Sequence, residues 1–139
     1  MSSLVIFLHS STYDRLFQAA NLLLTASSMG QKCYLFLFYG ALATFVDGSW
    51  DDVLSEPARN APDWARTLAR SFELADTPSL YEVIDMAKKE TGGLTVCACS
   101  TSMKMLGLEP AAVGPKVDQI IGHATMLDIA SQTNQVLYI

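Results

Sequence analysis

Apolar positions along the chain change their spacing from segment to segment, and each spacing predicts an element. Leu4-Val5-Ile6-Phe7-Leu8 is a short continuous apolar run rich in β-formers, the pattern of a strand buried on both faces. Ser10, Ser11 and Thr12 then offer caps for a helix whose Leu16, Ala19, Ala20 and Leu23 recur at helical intervals, with Gly30 closing it. A second apolar run, Cys33 to Phe38, ends at Tyr39-Gly40. Strand, long helix and strand in that order make a βαβ unit, whose strands are parallel and whose crossover is right-handed.

The stretch from Asp47 to Pro62 breaks this rhythm. It carries Asp47, Asp51, Asp52, Glu56, Pro57 and Pro62, with Trp50 and Trp64 near its ends. A connection of this length is a binding loop, a lid or a subunit contact, or else an insertion that its tryptophans pin to the body. A helix is predicted next, with Ala65, Leu68, Ala69 and Phe72 on one face. Thr77-Pro78 reads as an N-cap followed by proline at the first helical position, with Leu80, Val83, Ile84 and Ala87 as the buried stripe and Gly92-Gly93 as the stop. Leu94 to Ala98 is a third strand, Val117 to Ile121 a weaker fourth, Ala124 to Ser131 a helix, and Gln135 to Ile139 a fifth strand. The prediction is an α/β chain: one three-layer α/β/α domain over residues 1–139, with a mainly parallel sheet of about five strands and an acidic, Trp-containing insertion at about 47–62.

Composition narrows the function. Half of the 139 residues are apolar and 17% are charged, which describes a chain with a full core. That apolar fraction is high for the size, so either both faces of a sheet are covered or some apolar surface is buried between subunits, and a homo-oligomer is expected. Net charge is −5, and nine basic residues spread along the chain do not form the cationic patch a nucleic-acid partner requires. The amino terminus has no Lys or Arg before Arg15, and the longest apolar run, Tyr34 to Val46, is too short to span a bilayer. A cytoplasmic, non-membrane protein is expected. There Cys33, Cys97 and Cys99 stay reduced, which favours a thiol role over a disulfide.

In an open parallel sheet, ligands and reactive groups gather beyond the carboxyl ends of the strands. Those ends carry His9 and Ser10, Tyr39 and Gly40, Cys99 to Ser102, and Gly122 with His123. Cys99 stands where a strand runs into a helix, a position whose free N–H groups and dipole favour an anion, and thiolate is the nucleophilic form of cysteine. The competing reading is a small buried hydrophobe. Cys97, two residues earlier on the same side of the strand, reads as a structural thiol, since i and i+2 thiols on a regular strand do not meet disulfide geometry. Cys33 reads as core. His9 and His123 are each candidates to orient the thiol, deprotonate it or place a positive charge beside it, against a structural role for either. No metal site is expected from a single Cys-x-Cys, and no cofactor motif is present. The hydroxyl-rich turn Ser10-Ser11-Thr12 suggests a phosphate site, but without glycine or a nearby lysine it reads better as ordinary capping.

The segment Cys97-Ala98-Cys99-Ser100-Thr101-Ser102-Met103-Lys104-Met105-Leu106-Gly107-Leu108 resembles the cysteine motif of the DsrE/DsrF-like sulfur-relay family. Similarity extends to the first strand and helix, to Phe38-Tyr39-Gly40-Ala41-Leu42 and to Ile120-Ile121-Gly122-His123-Ala124-Thr125. The resemblance implies a parallel α/β sandwich, assembly into oligomers, and a cysteine that receives sulfane sulfur as a persulfide and passes it to a relay partner. That role carries over to Cys99, which stands eight positions before Gly107. Ser100, Thr101 and Ser102 would supply donors to the anion, Lys104 is the cation of the same helix, and His9 or His123 would be auxiliary. The alternatives are a non-catalytic oligomeric subunit with Cys99 in its core, and a small-ligand or phosphate-binding module built on Ser10 to Thr12.

Overall fold

The computed structural model describes residues 2–52, 67–68, 70–71 and 75–139. In chain order these form β1 (Ser3–Leu8), α1 (Tyr13–Ser28), β2 (Lys32–Leu37), α2 (Tyr39–Asp47), α3 (Leu80–Lys89), β3 (Leu94–Cys99), α4 (Ser100–Met105), α5 (Pro110–Val113), a 3-10 turn (Gly114–Lys116), β4 (Gln119–Ile121), α6 (His123–Ser131) and β5 (Gln135–Tyr138). The five strands make one sheet in the order β4-β3-β2-β1-β5, and every pairing is parallel. The predicted α/β architecture, with helices on both faces, is what the chain adopts.

The strand pleat sorts side chains onto two unlike faces. Leu4, Ile6, Leu8, Cys33, Leu35, Leu37, Val96 and Ala98 enter an aliphatic core shared with α1, α2, α3 and α4. Val5, Phe36, Phe38, Cys97 and Cys99 enter a smaller core closed by Met126 of α6, with Phe7, Tyr34, Ile121 and Ile129 around it. Connection handedness explains the asymmetry. The chain steps from β1 to β4 in one direction across the sheet, so right-handed crossovers leave their helices on one face. The return from β4 to β5 runs the other way, and the same handedness sends α6 across the opposite face. One nine-residue helix, roughly 13 Å long at 1.5 Å per residue, serves there as the cover.

Local chemistry departs from the prediction at three points. The first is α2, which occupies the second half of the Tyr34–Val46 apolar run. Gly40 does not break the chain there, and Ala41, Leu42 and Phe45 recur at helical spacing and are buried. Second, α3 is capped by Ser79 rather than Thr77. Ser79 Oγ accepts from the Glu82 N–H at 3.2 Å, and Asp51 Oδ1 accepts from the Leu80 N–H at 2.7 Å. Two first-turn donors are thus satisfied by Ser79 and Asp51. Third, Thr12 is the N-cap residue of α1 but its side chain makes no cap bond, because its hydroxyl pairs with Ser10 Oγ at 3.1 Å.

Trp50 pins the start of the acidic segment. Its ring is 1% exposed against Phe45 and Tyr81, and its Nε1–H donates to the Ala41 carbonyl at 3.1 Å. Trp64, Glu56, Pro57 and Pro62 lie outside the described residues, as do Ala65, Ala69 and Phe72 of the helix expected there. No helix among the described residues is long and apolar enough to cross a membrane.

Candidate active site

β3 hands on to α4, whose Met103 joins the larger core, whereas neighbouring β4 hands on to α6, whose Met126 joins the smaller one. Connections that leave adjacent strands toward opposite faces open a crevice at their carboxyl ends, the usual ligand position in such sheets. The residues at that crevice are Cys99, the last of β3, and His123, the first of α6.

Cys99 is the N-cap of α4, and its Sγ accepts a hydrogen bond from the Ser102 N–H at 3.4 Å. His123 Nε2 lies 3.7 Å from the same sulfur, with the donor depending on the imidazole tautomer. The imidazole is exposed, and it stacks on Phe38 with centroids 5.9 Å apart and planes 18° from parallel. The thiol beneath it is 0% exposed. Cys99 thus has a backbone donor directed at it and is fully buried, with the imidazole against it. The sulfur that the strand-to-helix position marks as a candidate nucleophile is therefore buried rather than open to solvent.

The other two thiols have different surroundings. Cys33 directs its S–H toward the Gln31 carbonyl at 3.4 Å and the Leu23 carbonyl at 3.8 Å, partners that favour the neutral form. Burial pushes the Cys33 thiol up to about 11. Burial, with a smaller contribution from the Asp118 charge, does the same to Cys97, also to about 11. Both fit the structural role expected of them.

The remaining candidates separate. Ser102 supplies its backbone N–H, while its buried hydroxyl has no partner. Ser100 Oγ lies 3.6 Å from where a Cβ on Gly122 would stand, which places it at the mouth of the crevice. Among the described residues no hydrogen bond joins Thr101 or Lys104 to Cys99, and both side chains are exposed. His9 is exposed at the end of β1, two strands away and so about 10 Å across the sheet from Cys99. It joins an aromatic notch with Phe7, Phe38, Tyr39 and Tyr138 rather than the thiol. Ser10 to Thr12 bond to one another, and Asp14 in the first turn of α1 opposes a phosphate there. No group of three His, Cys, Asp or Glu side chains among the described residues is placed to hold a metal ion.

Sequence reasoning missed the aromatic partners. The signal was present in β2 and the residue after it, where Tyr34, Phe36 and Phe38 alternate onto one face, the side that receives α6.

No protein-family model and no curated protein matches the chain. Among solved structures, it resembles a conserved protein of unknown function from Bacteroides thetaiotaomicron, with a TM-score of 0.63 at 12% identity over 99% of this chain and 95% of that one. That likeness is one of fold.

Proposed function

We propose that the protein is a sulfur carrier of the DsrE/DsrF-like kind, holding sulfane sulfur as a persulfide on Cys99. The observation that carries the reading is the Ser102 N–H directed at Cys99 Sγ at 3.4 Å, at the crevice between β3 and β4. A backbone donor stabilises negative charge on the sulfur that must attack. The thiolate attacks the outer sulfur of a donor R–S–SH, the donor S–S bond breaks, R–S⁻ leaves, and Cys99–S–SH forms. An acceptor thiolate on a relay partner repeats the step in reverse order and regenerates Cys99–S⁻, so the cycle has no net oxidation. His123 covers the sulfur between transfers and swings off Phe38 to admit donor or acceptor. The exposed Met105 and Leu127 supply apolar surface for the expected assembly with further copies.

The test is to incubate the reduced protein with inorganic polysulfide or thiosulfate and map thiols by mass spectrometry. A 32-Da addition on Cys99 (about one sulfur atom), absent in Cys99→Ser, supports the carrier. The complete burial of Cys99 favours a second reading, an oligomeric subunit whose Cys99 is core. A Cys99 that stays unmodified in native protein selects that reading.

A further inference from the structure

α6 starts over β3 and β4 at the carboxyl rim and finishes near the amino ends of β1 and β2, where Asp128, Ile129, Gln132 and Thr133 face Ser3, Lys32 and Tyr34 across a cleft. Among the described residues, this diagonal leaves the carboxyl ends of β2, β1 and β5 uncovered on the aromatic face. The gap is a notch of about 180 Å³ lined by Phe7, His9, Phe38, Tyr39 and Tyr138.

Its rings form an ordered row. Tyr138 stacks on Phe7 at 4.8 Å and 27°, Phe7 on Phe38 at 5.7 Å and 15°, and Phe38 on His123 at 5.9 Å and 18°. Rings from successive strands thus stand nearly parallel from the sheet edge to the imidazole that touches Cys99 Sγ. Tyr138 and Tyr39 remain 73% and 46% exposed, so each leaves much of its ring in water. Tyr39 also holds φ at 41°, a left-handed conformation costly for a bulky residue. Backbone strain of this kind concentrates at ligand clamps. Here it marks the turn that places Phe38 in the row and Tyr39 at the mouth.

We propose that the notch binds the organic body of a low-molecular-weight persulfide, a single ring or short apolar chain, and presents its sulfur to Cys99. The inference rests on the sulfur-carrier reading and names the donor class for it. The size argues for one ring, because pockets for drug-sized ligands begin near 300 Å³. The lining argues for an uncharged body, since it offers aromatic faces, no carboxylate, and one imidazole, His9, at the rim for a polar tail. In the transfer, the donor S–S bond breaks, its inner sulfur leaves as a thiolate still seated in the notch, and the outer sulfur joins Cys99.

The test titrates the intact protein with benzyl methyl sulfide, a thioether inert to thiols, and follows the Tyr138 and His9 ring signals by NMR. Saturable shifts are expected, with half-saturation near about 1 mM, weakened at least tenfold in Tyr138→Ala and in Tyr39→Gly. Shifts that stay linear to the solubility limit, or that ignore both substitutions, overturn the notch. In parallel, the thioether at saturation should slow persulfidation of Cys99 by benzyl persulfide at least fivefold and that by inorganic polysulfide less than twofold. Equal slowing of both donors overturns the assignment of the organic body to the notch. Saturable binding with a Cys99 inert to both donors overturns the sulfur-carrier reading, and the donor class with it, while NMR still reports the notch as a binding site.

Discussion

Replacing His123 with alanine removes an exposed side chain that lies 3.7 Å from the buried Cys99 sulfur. The imidazole is held by its stack on Phe38 and its 3.7 Å contact with the sulfur. A stacked aromatic pair contributes about 0.5–1.5 kcal/mol beyond its area, and a weak hydrogen bond adds at most about as much. Holding the ring in place is therefore worth roughly 1–2 kcal/mol, and the open arrangement is populated about one part in five to one in thirty. A small uncharged electrophile reacts only with that open fraction. Alkylation of Cys99 by iodoacetamide is expected to rise about fivefold to thirtyfold in His123→Ala. His123→Phe keeps a ring on Phe38 without the nitrogen, and its rate should stay within about threefold of wild type. Because His123 is exposed, both variants should lose less than about 1.5 kcal/mol in urea unfolding, so the comparison is made on folded protein. Peptide mass spectrometry gives the rate at each cysteine, with Cys33 and Cys97 as internal references. A His123→Ala rate no faster than wild type, or a His123→Phe variant as fast as alanine, would refute the shielding argument.

Three further outcomes follow from other parts of the structure. Gly92→Ala places a Cβ 1.9 Å from the Gln31 carbonyl oxygen, a backbone atom that cannot step aside cheaply, and the expected loss in urea unfolding is at least about 2 kcal/mol. Trp50→Ala empties a buried ring site and frees the Ala41 carbonyl, so a loss of about 3–5 kcal/mol is expected, with Trp50→Phe retaining a substantial part of it. Stability should also fall at alkaline pH. Cys33 and Cys97 are raised in the fold from 9.0 to about 11, so their contribution is complete below pH 9 and disappears as pH rises through 11. Urea midpoints from pH 8 to 11 check this, and a midpoint that does not move across that window contradicts it.

The strands were legible because apolar runs in a doubly covered parallel sheet are continuous and bounded by polar turns. β1, β2 and β3 fall within a residue or so of their predicted ends, while β4 is only Gln119–Ile121 of the expected Val117–Ile121. α2 was hidden because its apolar residues continue the β2 run without a polar boundary. The placement of Cys99 at a strand-to-helix junction was legible from local sequence. Its burial was not, because that depends on where β4 pairs and which face α6 crosses. Strand order is a long-range property: nothing in Gly122-His123-Ala124 states that β4 lies beside β3, yet that neighbourhood brings the imidazole onto the sulfur.

Equal burial does not make the three thiols equivalent, and the polarity of their partners is what separates them. All three are 0% exposed. Cys33 meets carbonyl oxygens, which hold a proton on sulfur, and Cys97 is raised by burial and by the Asp118 charge. Cys99 meets an N–H from the first turn of α4, a donor rather than an acceptor. It also has a cover that belongs to a different element from the strand that carries it. A strand thiol enclosed by its own sheet is released only by unfolding, whereas one enclosed by the first residue of a crossing helix is released by a side-chain rotation. On the proposed sulfur-carrier reading, access to Cys99 would run through such a rotation of His123 rather than through a loosened sheet.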